Sequence, residues 1–233
     1  MTEATKKINT GVVTFLDVLG WKGVYNRNMD AVASLTSLVE GISSLAEIQR
    51  GRGNLYYNTL VKSISDTIAI FTQCTEEDFP VAADIHGLLC QWIIPKSIEA
   101  EIPVRGATAF GEFEIKDNIF VGKAVDEAAS WHEQADWIGV NLTPSAEYLF
   151  IVNSNPRWIQ FEPPIKTPLK CQLHCVNWID NWQDRTKDKD IEYIKRIFRR
   201  LGPILPEIAG KFANTLKFIE YANSKPESSS DEN

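Results

Sequence analysis

Residues 12–19, Val12-Val13-Thr14-Phe15-Leu16-Asp17-Val18-Leu19, are apolar at nearly every position and predict a strand in a sheet core. From about Met29 to Gln49 the pattern changes period. Val32, Leu35, Leu38, Val39, Ile42, Leu45 and Ile48 recur close to helical spacing. Arg50 to Asn54 predicts a turn. Residues 55–64 and 66–72 predict two strands joined tightly around Ser65. A second helix is predicted over 76–94, ended ahead of Pro95. Val104 to Phe113 predicts a strand, and Lys116-Asp117-Asn118 a turn into Ile119-Phe120-Val121. A third helix opens at Gly122, and Ile138 to Val140 predicts a short strand. Thr143-Pro144 fits an N-cap and first helical position for a short helix through Tyr148. A strand over 169–178 and helices over 191–201 and 206–221 complete the pattern, and no internal repeat is present. The order β-α-β-β-α-β with additions predicts an α+β fold: a ferredoxin-like split βαβ, antiparallel-rich sheet with extra C-terminal helices.

Composition narrows the class. The chain has 233 residues, 44% of them hydrophobic, enough for one sizeable core. Its net charge of −7 argues against a nucleic-acid surface, which needs basic patches. No apolar run approaches the ~20 residues of a membrane span. The polar start, Met1 to Lys7, has no signal-peptide core. The expectation is a cytoplasmic protein with no membrane contact, whose four cysteines are reduced. The end, residues 224–233, has a disordered composition.

Two aspartates stand out, Asp17 and Asp66, each set in an apolar run. A carboxylate among β-branched and aromatic residues is unfavourable to bury unpaired. Two on neighbouring strands repel unless a cation lies between them. The pair therefore predicts a two-carboxylate site for a hard cation, Mg²⁺ or Mn²⁺.

Other residues carry weaker signals. Cys171-Gln172-Leu173-His174-Cys175 lacks the second ligand pair a zinc site uses. His132 reads as a surface helix histidine, or as a residue near a pocket. Trp137 reads as core, or as a platform for a base. The run from Lys187 to Arg200 mixes both signs and reads as a solvated helix face.

Four motifs in order resemble the class III nucleotidyl cyclases. Phe15-Leu16-Asp17-Val18-Leu19-Gly20-Trp21 stands where that family has F-x-D-I-x-G-F. Lys62-Ser63-Ile64-Ser65-Asp66 stands in its K-x-x-G-D, with Ser65 for Gly. Pro103-Val104-Arg105-Gly106-Ala107, closed by Gly111-Glu112, is similar to its R-x-G-I segment. Gly122 to Ser130 aligns without a gap to G-x-x-V-N-x-A-x-R. The resemblance covers about residues 10–145. It implies a catalytic domain over 1–180, with 181–223 a helical appendage packed on it.

The departures matter as much. Asp126 stands for the family's ribose-binding Asn, Ser130 for its transition-state Arg, and Ile119 for the Asp that reads adenine. Isoleucine cannot accept a base hydrogen bond. In this the chain resembles the pyrimidine cyclases of the bacterial Pycsar anti-phage systems. That implies cyclic UMP, or cyclic CMP, made from a pyrimidine nucleoside triphosphate and read by a separate effector protein. A purine cyclase with an unusual pocket, and an inactive cyclase-homology module, remain the other readings.

The resemblance also implies roles. Asp17, Asp66 and the Val18 carbonyl would hold two Mg²⁺ or Mn²⁺ ions for attack of the ribose 3′-hydroxyl on the α-phosphate. Backbone N–H groups around Leu19, Gly20, Trp21 and Lys22 would cradle the outer phosphates. The site would be composite across a homodimer, with Lys62 and Asp126 reaching base and ribose from the partner. Arg105 or Lys22 would replace the missing arginine. The alternatives are that Arg105 forms a salt bridge within the sheet, Lys62 is a solvated edge lysine and Asp126 faces solvent.

Overall fold

β1 (Asn9–Val18) is covered on both faces from Gly11 to Leu16, where Val12, Val13 and Leu16 are wholly buried. It is an inner strand of the sheet in the computed structural model, which describes residues 8–26, 28–49, 58–150, 155–183, 191–201 and 205–225. Around it lie β2 (Thr59–Ile64), β3 (Thr67–Gln73), β4 (Val104–Lys116), β6 (Val140–Leu142), β7 (Trp158–Phe161) and β8 (Leu173–Val176). Their order is β2-β3-β1-β4-β6-β8-β7, and β5 (Ile119–Val121) pairs with the far end of β4. The β4-β1-β3-β2 half is antiparallel throughout, the expected ferredoxin-like arrangement. β6 joins it in parallel with β4, giving a mostly antiparallel α+β sheet.

Side chains alternate across β1 and so separate two cores. Val12, Leu16 and Val18 join the large core under α1 (Ala31–Gln49) and α2 (Phe79–Glu99). Val13 and Phe15 join a smaller core under α3 (Lys123–Gln134), with Phe71, Ala109 and Phe113. Asp17 follows Val13 and Phe15 on the α3 face. Within the large core, His86 of α2 is wholly buried between Thr14 Oγ1 at 2.7 Å and Thr72 Oγ1 at 2.9 Å.

By length and composition α1 is apolar enough to cross a bilayer, contrary to the expectation that no segment qualifies. In this fold its Leu35, Leu38, Ile42 and Ala46 are core residues.

The C-terminal half is built on aromatics. After α4 (Pro144–Glu147), the chain adds α5 (Trp178–Gln183), α6 (Ile191–Arg200) and α7 (Pro206–Asn223). Phe218 of α7 lies 4.7 Å, ring to ring, from Trp137 and 5.2 Å from Phe161. Trp137 is thus core, where no base can reach it.

Several boundaries differ from the pattern reading. α2 runs through Pro95 to Glu99, because Pro95, Ile98 and Ser97 are buried. That packing outweighs the ~3 kcal/mol a helix-interior proline costs. Asp66 is not on a strand: it lies in the two-residue turn between β2 and β3. Thr143 holds the N-cap position of α4, but its side chain makes no capping bond, and its Oγ1 lies 3.2 Å from Ser145 Oγ. β7 and α5 had no separate sequence signal, and the strand expected over 169–178 is confined to β8. The turn expected at Arg50–Asn54 and the tail after Lys225 lie outside the described residues.

Candidate functional site

The register of β1 places Asp17 between Thr67 of β3 and Arg105 of β4. Arg105 Nη2 and Nε donate to Asp17 Oδ2 at 3.3 and 3.4 Å. Arg105 Nη1 donates to the carbonyls of Glu133 and Ala135, at 3.1 and 2.8 Å, at the end of α3. A helix C-terminus carries partial negative charge, so the guanidinium lies between two acceptor groups. Both side chains are nearly enclosed, 12% exposed for Arg105 and 19% for Asp17. Asp17 therefore already has a counter-cation. Part of the positive charge that the sequence argument asks for beside Asp17 is supplied here by Arg105. Arg105 thus forms the intrasheet salt bridge that was the alternative to a transition-state role.

Asp66 is brought to the same end of the sheet by the hairpin. Ser65 adopts φ 56°, the left-handed turn conformation that glycine takes without strain. Val18 N–H donates to the Asp66 carbonyl at 3.2 Å, which ties the turn to the end of β1. Burial pushes the Asp17 carboxyl above its ordinary value. Arg105 and His132 pull it back, and the Asp66 charge pushes it further up. This donor set fits a hard dication: two coupled carboxylates, one half-buried, which added positive charge would relieve. Among the described residues no cluster of three or more His, Cys, Asp or Glu gathers, so any further ligands would be backbone or substrate oxygens.

Beyond Val18 the chain turns sharply at Gly20, φ 72°, and again at Gly23, φ 79°. Val18 N–H and Leu19 N–H are already bonded, Leu19 to the Pro103 carbonyl at 2.8 Å. The Leu19 N–H expected in the phosphate cradle is therefore engaged within the fold. Trp21 is half-buried against the large core, and Lys22 is exposed.

The remaining candidates spread over one side of the sheet. Lys62 pairs with Ala69, which pairs with Phe15, so Lys62 shares the α3 face with Asp17 at the β2 edge. Asp126 and Ser130 are exposed on α3, and Ile119, opposite Lys116 on the β4–β5 hairpin, is 66% exposed. Among the described residues none of these four hydrogen-bonds to Asp17 or Asp66, and what gathers at this end of the sheet is the two aspartates, Arg105 and the Gly20 turn, with His132 beneath.

Of the two readings of His132, the surface histidine is the one the structure does not bear out. It is buried beneath the site, its ring 6.1 Å from that of Phe15. The signal was present: Ala124, Ala128 and His132 follow one another at four-residue spacing on the buried stripe of α3. His174 is likewise engaged, with its Nδ1 2.7 Å from Glu147 Oε1.

The sequence matches no family model and no curated protein. Solved structures do match. The adenylyl cyclase CyaB from P. aeruginosa superposes with TM-score 0.50 at 12% identity, over 73% of this chain and 94% of that one. The catalytic core of a rhodopsin-guanylyl cyclase with converted specificity, in complex with ATPαS, gives TM-score 0.51 at 20% identity, over 76% and 98%. At such identities the likeness is one of architecture: this chain has the fold of the class III nucleotide cyclase catalytic domain.

Proposed function

We propose that the protein is a nucleotide cyclase acting on a pyrimidine nucleoside triphosphate, converting UTP to 3′,5′-cyclic UMP and pyrophosphate. The observation that carries the reading is the meeting of Asp17 and Asp66 at one end of the β1–β3 pair, beside the Gly20 turn, on a cyclase fold. Asp17, Asp66 and the Val18 carbonyl would hold two Mg²⁺ or Mn²⁺ ions, which supply acidification of the 3′-hydroxyl and neutralisation of the triphosphate. The Gly20-Trp21-Lys22 turn would bind the β- and γ-phosphates. Arg105 would hold one oxygen of Asp17 and leave the other to face the substrate.

The base preference rests on Ile119, which offers no acceptor to a purine amino group. Asp126 and Ser130, exposed on α3, would meet the ribose only across a homodimer, as would Lys62 the base. Exposed Leu60, Ile64, Ile119 and Val121 on the two hairpins favour such an association. The product would signal to a separate effector in bacterial anti-phage defence, in a cytoplasmic setting. The 1–180 unit would carry the chemistry and 181–223 would support it.

A second reading is an inactive module that binds nucleotide. It is favoured by the engagement of Arg105 and by Ser130 in place of an arginine, which leave Lys22 as the remaining candidate for the transition-state charge. Incubation with UTP, CTP, ATP and GTP plus Mn²⁺ separates the readings. Cyclic UMP as main product is expected. Cyclic CMP would change the base, a purine product would overturn the pyrimidine assignment, and no product from any triphosphate would leave the inactive module.

A further inference from the structure

We propose that α7 positions the site: Lys211 and Asn214, through Asp136, hold the carbonyls that fix Arg105 against Asp17. The role deepens the cyclase reading and rests on it for its effect on turnover.

Arg105 reaches the Ala135 carbonyl, and Asp136 is the next residue. The Asp136 carboxylate accepts from Lys211 Nζ at 3.0 Å, and its backbone carbonyl accepts from Asn214 Nδ2 at 2.9 Å. At the next α7 residue, Thr215 Oγ1 accepts from Ile138 N–H at 2.9 Å. Three successive α7 polar groups are thus directed at residues 136–138, the link between α3 and β6. The helix comes near at Gly210, where an added Cβ would stand 3.5 Å from Asp136 Oδ2. On the other side of the link, Asp136 N–H donates to the Pro164 carbonyl at 2.9 Å.

Anchoring of α7 as a helix does not require this clamp, because Phe218 already packs among Trp137, Phe161 and Trp178. The clamp is also enclosed, with Lys211 only 15% exposed, so its charge pair is weakly screened. Its location is the informative point. Between Asp17 and α7 runs a continuous path: carboxylate, guanidinium, the carbonyls that end α3, the peptide link from Ala135 to Asp136, and then Lys211 and Asn214. Loosening the last member lets the α3 terminus move, and with it the partner that orients Asp17. Lys211 and Asn214 are therefore positioning residues, with no contact to substrate.

The test uses the full chain and reads the hydrogen exchange of the Arg105 Nε–H by NMR, together with steady-state kinetics. Lys211→Ala and Asn214→Ala should each speed that exchange about tenfold, the weight of one hydrogen bond. Turnover should fall by a similar factor while KM for the triphosphate holds, and Lys211→Arg should restore both. Lys195→Ala, at an exposed ion pair on α6, should change neither. Unchanged Arg105 exchange in both α7 variants overturns the proposal, as does faster exchange with wild-type turnover. If the unmodified chain forms no cyclic nucleotide, the cyclase reading fails, and the exchange arm still decides whether α7 holds Arg105.

Discussion

The Arg105 guanidinium stands 3.3 Å from the Asp17 carboxylate, directly across the β1–β4 ladder, and also caps the end of α3. One side chain thus joins the central strand, its neighbour and the helix above them. Removing it leaves a nearly enclosed carboxylate without its partner and two helix carbonyls without a donor. Arg105→Ala is expected to lower stability by about 2 kcal/mol, less than for a fully buried pair because both groups keep some solvent contact. Arg105→Lys should recover only part of this, since an ammonium cannot span both acceptors. Urea unfolding at neutral pH measures both. A stability change within a few tenths of a kcal/mol for the alanine variant would show that the bridge is a surface contact after all.

Asp66 should behave in the opposite way. It sits in a half-exposed turn, its side chain makes no hydrogen bond or ion pair among the described residues, and its tie to β1 is through its backbone carbonyl. Asp66→Ala is expected to unfold like the parent yet lose activity by roughly 10²–10³-fold, the scale of one lost electrostatic stabiliser at a reacting centre. Circular dichroism and a cyclase assay on the same sample check the two halves. Retained activity would remove Asp66 from the site.

Much of this site was legible before the fold. The apolar run around Asp17 fixes it on a central strand, and the Lys62–Phe71 pattern fixes a hairpin, because alternation and turn chemistry are local properties. The partner of Asp17 was not legible. Whether Arg105 faces solvent, substrate or Asp17 depends on the β1–β4 register and on where α3 ends, and both are tertiary. The same holds for Pro95, whose burial keeps α2 intact against its local preference, and for β7, whose four residues have no pattern long enough to read. His132 is different, since its helical spacing was readable.

Ser65 supplies a test of the hairpin. A serine at φ 56° is strained where glycine is not, and the turn it shapes presents Asp66. Ser65→Gly should stabilise the protein by roughly 0.5–1 kcal/mol, relief of left-handed strain being partly offset by glycine's unfolded-state entropy. Thermal unfolding would register this as a small rise in Tm. A lower Tm would mean that the Ser65 side chain stabilises the turn in some other way.

His86 makes stability depend on pH. Its ring is wholly buried among Thr14, Thr72 and the apolar core, and burial pushes it down from 6.5 to about 3. The folded protein therefore keeps it neutral at pH values where the unfolded chain protonates it. The unfolded state binds the extra proton between about pH 6.5 and 3, so stability rises with pH across that window. The contribution is complete above pH 6.5 and is lost as the pH falls toward 3. One unit below the unfolded value the loss is about 1.4 kcal/mol. Asp17, whose carboxyl is raised by burial, works in the opposite sense. Urea unfolding at pH 7.5 and at about pH 5.5 should show this difference, and His86→Gln should flatten it even though the variant is less stable overall. An equal slope in the variant would place the proton on another group.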